Sequence, residues 1–156
     1  MVTVMKLIHF QTQDGVRLGV KTEKGIVDVG ATAERAGLSV SASVEEVIEK
    51  GQAGLDELQQ VLPKADEFID ESAIKHAPPV QTPGKIVCAG VNYLAHAQES
   101  NVAKPDYPVY FAKYANSLAA HNEDIVPPRG TEKIDYEAEL VVVVGKQAKN
   151  ITKDEA

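Results

Sequence analysis

Apolar residues near the start of the chain fall into short runs of the length that strands have. Residues 4–10, 16–21 and 25–29 are mostly apolar, and such runs separated by polar turn residues predict a strand meander. Between the last two runs lies Thr22-Glu23-Lys24-Gly25, whose glycine can adopt the positive φ that hairpin turns often need. The opening of the chain is therefore predicted to form a small antiparallel sheet.

The pattern then changes to helical spacing. Ser43 and Glu46 have the S-x-x-E spacing of a capping box, and Gly51 is a suitable residue for ending the helix that follows. A second helix is predicted over residues 55–62, because its leucines and valine recur at helical spacing, and Pro63 ends it. This part of the chain therefore adds two helices to the sheet.

Prolines at 78, 79 and 83 interrupt the chain and predict a domain boundary near residue 80. Beyond it the predicted elements are strands over residues 85–89, 108–113, 125–126 and 134–144, a helix over 93–100, and a helix start at Thr152 with Glu155 in the capping-box position. The predicted organisation is a small α+β N-terminal domain over residues 1–80 and a β-rich domain over 81–156.

Composition narrows the possible functions. The chain has 156 residues, a net charge of -7 and a pI of about 5.1, so its overall field repels the phosphate backbone of nucleic acids. No apolar run reaches the roughly 18 residues of a membrane helix. Cys88 is the single cysteine, so no intrachain disulfide can form. A cytoplasmic protein without nucleic-acid or membrane partners is expected, with Cys88 as a small buried apolar residue.

Two carboxylates within the predicted strand 134–144 are candidate metal ligands. Alternation along a strand places Glu137 and Glu139 on the same face, with Asp135 beside them. A divalent cation would relieve their repulsion, and oxygen ligands favour Mg²⁺, Mn²⁺ or Ca²⁺ over Zn²⁺. The alternative is an acidic, solvated strand edge. The four valines that follow argue against it, because they indicate a strand that enters a core.

Two further groups could take part in catalysis. His96 and Glu99 are three residues apart on a predicted helix and share a face, so Glu99 could orient His96 as a general base. The alternative is a surface pair. Lys113 shares a strand face with Phe111, and a lysine there could bind a substrate carboxylate or protect a strand edge from pairing.

Together these segments resemble the fumarylacetoacetate hydrolase family. The resemblance covers essentially all of residues 85–156. Its motifs are Lys85-Ile86-Val87-Cys88-Ala89-Gly90-Val91-Asn92-Tyr93, His96 with Glu99, Pro108 to Lys113, Ile125 to Gly130, and Lys133 to Lys146. Residues 1–80 are more loosely similar to the small N-terminal domain of bacterial members. The implied fold beyond residue 80 is part of a mixed β-roll.

The resemblance implies a metal-dependent hydrolase, decarboxylase or isomerase of small 2-oxo or 1,3-diketo acids, and a homodimer for the complete protein. It implies Mg²⁺ or Mn²⁺ held by Glu137, Glu139 and a third carboxylate, with His96 and Glu99 as a catalytic dyad and Lys113 in the wall of the site. Val91 stands where many members have arginine or leucine.

The third ligand is expected to be an aspartate well beyond Glu139, and Asp154 lies too early for it. The sequence is therefore expected to be the N-terminal part of such an enzyme, inactive alone. The alternative is a non-catalytic binding or assembly module that keeps the fold.

Overall fold

Three antiparallel strands and their two tight turns open the structure, a computed structural model that describes residues 4–99, 101–103 and 105–156. The strands are β1 (Lys6–Thr12), β2 (Gly15–Thr22) and β3 (Gly25–Asp28). Each turn has the same T-x-x-G sequence, and the threonine hydroxyl donates a hydrogen bond to the glycine carbonyl, at 2.8 Å in the first turn and 2.7 Å in the second. The predicted meander is confirmed.

A fourth strand completes this sheet from far along the chain. Strand β4 (Lys75–Ala77) pairs antiparallel with β1, with His9 opposite Ala77, and the strand order is β3-β2-β1-β4. The outer edge of β3 is partly covered, because Ile26 and Ile69 exchange two backbone hydrogen bonds of 2.9 Å. The edge strand β4 is short, a form that limits pairing with other chains.

Three helices follow the meander: α1 (Val29–Ala36), α2 (Val44–Lys50) and α3 (Gln52–Val61). The hydroxyl of Ser43 accepts from the amide of Glu46 at 3.1 Å, and the Glu46 carboxylate accepts from the amide of Ala42 at 2.9 Å. The cap of α2 is thus confirmed, although its return bond reaches one residue further back than the capping-box pattern predicts. Helix α3 confirms the second predicted helix.

The core of this part of the chain lies between β2 and the three helices. Leu18 and Val20, two residues apart on β2, bury the same face of the strand against side chains of all three helices. The buried cluster consists of Leu18, Val20, Val29, Val44, Val47 and Leu58.

His9 is a polar side chain buried in this unit, 1% exposed. Its Nε2 accepts a hydrogen bond of 3.0 Å from the amide of Val44, so the ring proton lies on Nδ1, which donates to the carbonyl of Pro78 at 3.2 Å. A buried polar group needs such partners. The side chain therefore ties β1 to the start of α2 and to the residue that follows β4.

The described chain divides into two compact units, Met1–Pro79 with Ala120–Ala156, and Val80–Ala119. The second unit contains β5 (Ile86–Gly90), α4 (Leu94–Glu99) and β6 (Val109–Lys113). Strands β5 and β6 pair antiparallel from Ile86 opposite Lys113 to Gly90 opposite Val109. These three elements confirm the predicted strands and helix of this region, apart from Ser100, which lies outside the described residues.

The predicted strand over residues 134–144 is wrong for this structure. The segment has no ladder partner among the described residues and is assigned no strand. Its apolar side chains are exposed, Tyr136 at 88%, Leu140 at 80% and Val144 at 78%. An apolar run forms a strand only where another strand supplies the backbone hydrogen bonds. The short predicted strand at 125–126 is also not formed.

Helices and antiparallel sheets together give an α+β fold, as predicted. The mixed β-roll and the division at residue 80 stay predictions. At the end of the chain, the predicted capping box is confirmed: the Glu155 carboxylate accepts from both the amide and the hydroxyl of Thr152, each at 2.8 Å, around the 3₁₀ turn Lys153–Glu155.

Candidate functional site

Helix α4 presents the predicted dyad to solvent. The helix is six residues long, and Ala97 is its buried residue, 4% exposed. The amide of Ala97 donates to the carbonyl of Tyr93 at 3.1 Å, which fixes the first turn of the helix. His96 and Glu99 are both exposed and lie three residues apart, a spacing that places them on the same helix face. Both groups are therefore accessible to a small substrate.

Lys113 is the last residue of β6 and is exposed. It lies opposite Ile86, and Phe111, two residues earlier on the same face, lies opposite Cys88. Cys88 is half-buried rather than fully buried. Because Lys113 is exposed at the end of β6, its ammonium can contact an anionic group in solution while its backbone stays paired in the sheet. The pairing of Phe111 with Cys88 holds the backbone that carries it.

Glu137 and Glu139 lie in the other unit and are exposed. Their segment is not a strand here, so the alternation argument that placed them on one face has no ladder to support it. Nearby, Asp135 accepts a hydrogen bond of 3.0 Å from the amide of Tyr136 through its own carboxylate. The proposed role of Glu137 and Glu139 as metal ligands stays a prediction.

The donor atoms at this position match a hard divalent cation, since carboxylate oxygens are its preferred protein ligands. Two glutamate side chains are too few to complete a metal site. Within the described ranges, no group of three or more histidine, cysteine, aspartate or glutamate side chains is placed to hold a metal ion. Glu137 and Glu139 could therefore supply part of a coordination sphere.

One side-chain pairing was not found by sequence reasoning. His76 and His121 are distant in sequence, yet their rings meet edge to face, with centroids 5.1 Å apart. They line an open cavity of about 570 Å³ together with Glu71 and Glu123. The carboxylate of Glu71 accepts a hydrogen bond from Lys21, which lowers its pKa, and the two histidines lower it further. The two histidines are far apart in the sequence and no motif links them, so sequence reasoning could not predict their contact.

Comparison with known proteins decides the family. Residues 85–156 match the domain described as fumarylacetoacetate (FAA) hydrolase C-terminal. Residues 85–156 therefore belong to the fumarylacetoacetate hydrolase family. All the predicted site residues, His96, Glu99, Lys113, Glu137 and Glu139, lie inside the matched range.

Relatives of the family extend the match to the rest of the chain. Oxaloacetate tautomerase fahd2, mitochondrial, from Xenopus laevis is 33% identical over 97% of this chain and 48% of its own length. A fumarylacetoacetate hydrolase domain-containing protein 2 homolog from Dictyostelium discoideum is 47% identical over 74 residues, which are 47% of this chain and 24% of that protein. The chain thus spans about half the length of the first of these relatives.

A solved structure supports the fold. The crystal structure of a protein assigned as HpcE from Mycobacterium smegmatis superimposes with a TM-score of 0.59 at 24% identity, over 80% of this chain and 41% of that one. This likeness concerns the fold alone. Across the described residues, no helix has the length and apolar character needed to cross a bilayer. The cytoplasmic location and the homodimer stay predictions.

Proposed function

We propose that this family member is an isomerase that interconverts the keto and enol forms of oxaloacetate or a closely related small 2-oxo acid. The observation that carries the proposal is the exposed His96–Glu99 face of α4, inside the matched family domain. The choice of reaction is supported by the Xenopus laevis relative, which is named an oxaloacetate tautomerase and matches 97% of this chain.

The reaction requires one group that transfers a proton, and the exposed dyad of His96 and Glu99 could supply it. Tautomerisation removes a proton from the carbon beside the carbonyl and adds a proton to the carbonyl oxygen, so no bond between heavy atoms breaks. A single imidazole can accept and return that proton. We assign this role to the imidazole of His96. Glu99, three residues further along the helix, is assigned to orient the ring.

The substrate is an anion, and the second unit offers a cation for it. The exposed ammonium of Lys113 at the end of β6 is assigned to a substrate carboxylate. A point-charge contact of this kind tolerates variation in the rest of the substrate. We therefore expect Lys113 to affect substrate binding more than the proton transfer itself.

Mg²⁺ or Mn²⁺ is proposed as the cofactor, with Glu137 and Glu139 among its ligands. When bound, such an ion polarises the carbonyl of a 2-oxo acid and so makes the neighbouring proton more acidic. The remaining roles belong to side chains: His96 transfers the proton, Glu99 orients His96, and Lys113 binds the carboxylate.

A second candidate is a non-catalytic binding or assembly module. The number of possible metal ligands favours this candidate, because the described residues bring together no group of three histidine, cysteine, aspartate or glutamate side chains that could hold an ion. In that case an exposed acidic segment at residues 135–139 would serve another purpose than metal binding. The two candidates differ in whether the protein turns over a 2-oxo acid at all.

The test uses the protein encoded by the complete gene, with Mg²⁺ and oxaloacetate, and follows the ultraviolet absorbance of the enol. His96→Ala is expected to slow the reaction by roughly 10²–10⁴-fold, the usual contribution of a general acid–base group. His76→Ala, a histidine of the other unit, is the control and should leave the rate unchanged. Product analysis in the same reaction separates isomerisation from decarboxylation, which releases carbon dioxide.

Equal rates for His96→Ala and the unmodified protein would contradict the role of His96. Absence of any turnover in the unmodified protein, with and without metal, would favour the non-catalytic module. Release of carbon dioxide as the main product would replace isomerisation by decarboxylation.

A further inference from the structure

Val91 adopts a backbone conformation that valine normally avoids. Its φ is 54°, in the left-handed region. The other non-glycine residues with positive φ among the described ones are Asn101, Asn122 and Asn150. Asparagine tolerates this region, whereas a β-branched side chain there is a true outlier. A conformation of this kind persists only where the surrounding structure enforces it.

The position of Val91 shows what enforces it. The residue before it, Gly90, ends β5 and is held in the ladder opposite Val109. Three residues after Val91, helix α4 begins at Leu94, and it is anchored by buried Ala97. Only Val91, Asn92 and Tyr93 connect the fixed strand to the fixed helix. Gly90 could adopt a positive φ without strain, yet the left-handed turn falls on the valine.

The turn determines the direction of the helix. Returning Val91 from 54° to the usual helical value near −63° would be a rotation of roughly 115° about one backbone bond. Everything after that bond would turn with it, including His96, five residues further on. The half-buried side chain of Val91 also restricts the alternatives, because a β-branched residue has few allowed rotamers. The direction of α4 is thus coupled to the conformation of one residue.

We propose that Val91 is a positioning residue for the reaction. Its left-handed backbone holds α4, and with it His96, in a fixed direction relative to the β5–β6 ribbon. The proposal rests on the proposed function, since it gives Val91 a role through the proton transfer by His96. Val91 itself need not touch the substrate.

The experiment compares replacements that differ in backbone freedom, in the protein encoded by the complete gene and with oxaloacetate as the probe. Val91→Gly allows the left-handed turn but also many others, so His96 loses its fixed direction. Val91→Asn keeps a side chain and tolerates positive φ. Asn101→Gly is the matched control, because Asn101 has φ 52° just beyond the other end of α4. Readouts are kcat, KM and the melting temperature.

Val91→Gly is expected to lower kcat by about 10-fold to 10²-fold, the scale of a small misplacement of a catalytic group. KM should change by less than about twofold, because substrate binding does not depend on proton transfer. The melting temperature should stay the same or rise, since the strained valine is gone. Val91→Asn should restore most of kcat, and Asn101→Gly should leave it unchanged.

Three results would overturn the proposal. In the first, Val91→Gly keeps full kcat while His96→Ala is slow, which leaves the proposed function intact. In the second, Val91→Gly and Asn101→Gly lower kcat equally, which indicates general loosening of α4 instead of positioning. In the third, His96→Ala is as active as the unmodified protein, which removes the role of His96 and the reason to position it.

Discussion

One carboxylate oxygen of Glu57 accepts two hydrogen bonds from Ser41, one from its amide and one from its hydroxyl, both 2.8 Å long. Ser41 is fully buried, and it lies in the connection between α1 and α2, whereas Glu57 belongs to α3. The Lys50 ammonium at the end of α2 binds the same carboxylate at 2.8 and 3.0 Å. This carboxylate therefore joins three segments of the first unit.

These contacts predict that stability falls in acid. The hydrogen bond from Lys50, followed by those from Ser41, lowers the pKa of Glu57 from 4.5 to about 2. A lowered pKa means that the stabilisation is complete above about pH 4.5 and is lost as the pH falls towards about 2. The measurement is the free energy of unfolding in urea across this range, for the unmodified chain and for Glu57→Gln.

The difference between the two proteins should be largest near neutral pH and should shrink through that acid range. Glu49→Gln is the control, because Glu49 is an exposed glutamate of α2. A difference that does not vary with pH would show that Glu57 stabilises the fold by some means other than its charge.

His9→Ala should strongly destabilise the first unit. The change leaves the amide of Val44 and the carbonyl of Pro78 without their partner and opens a cavity at a side chain that is 1% exposed. The expected loss is about 3 kcal/mol, measured by urea unfolding. His76→Ala, at a half-buried histidine of β4, should cost less than about 1 kcal/mol. Similar losses for both would show that the buried hydrogen bonds contribute little.

Two glycine-to-alanine changes should have opposite signs. A Cβ at Gly54 would lie 2.8 Å from the carbonyl oxygen and 2.9 Å from the Cα of Val47. Because both are backbone atoms, α2 and α3 would have to separate, at a cost of about 1–3 kcal/mol. At Gly30 in α1, the nearest atom is a carboxylate oxygen of Asp28 at 3.7 Å, so alanine should stabilise by about 0.5–1 kcal/mol. Melting temperatures measure both effects.

Metal dependence should be lost when either candidate ligand is removed. In the protein encoded by the complete gene, Glu137→Ala and Glu139→Ala should abolish turnover that depends on Mg²⁺ and lower the affinity for the ion in calorimetric titrations. Both residues are exposed, so their removal should barely change the melting temperature. Glu132→Ala, at an exposed glutamate of the same segment, is the control. Full activity of both ligand variants without added metal would refute the assignment.

Local signals in the sequence predicted local structure well. The cap at Ser43 and the stop at Gly51 define α2 within its own residues, and the T-x-x-G turn defines the hairpin between β2 and β3. Helix α1 was not predicted, because its buried residues are only Val29, Thr32 and Ala33. Its end signals could have revealed it: Asp28 accepts from the amide of Ala31 at 3.0 Å, and Gly37 adopts φ 65°.

Non-local features could not be predicted in the same way. The apolar pattern of residues 134–144 shows only which side chains the segment would bury if it formed a strand. Strand formation itself depends on a partner strand, which the pattern does not specify. The contact between His76 and His121 depends on how two distant segments meet. At Val91 the residue type argues against the observed backbone, and only the strand and helix on either side of it account for the turn. At the candidate site, family motifs suggested the residues, whose roles stay predictions, and spacing alone did not fix their geometry.

The hydrogen bond from His9 to Pro78 spans 69 positions of the chain. A polypeptide leaves the ribosome from its N-terminus, so the partner that β1 needs on its β4 side is synthesised long after β1 itself. Until Lys75, His76 and Ala77 have emerged, β1 has one open edge, and the Nδ1 proton of His9 lacks its native acceptor. The β2–β3 hairpin can form early, but closure of the sheet is a late event in translation. During that interval the nascent chain exposes β1 to other strands, including those of neighbouring copies on the same messenger RNA.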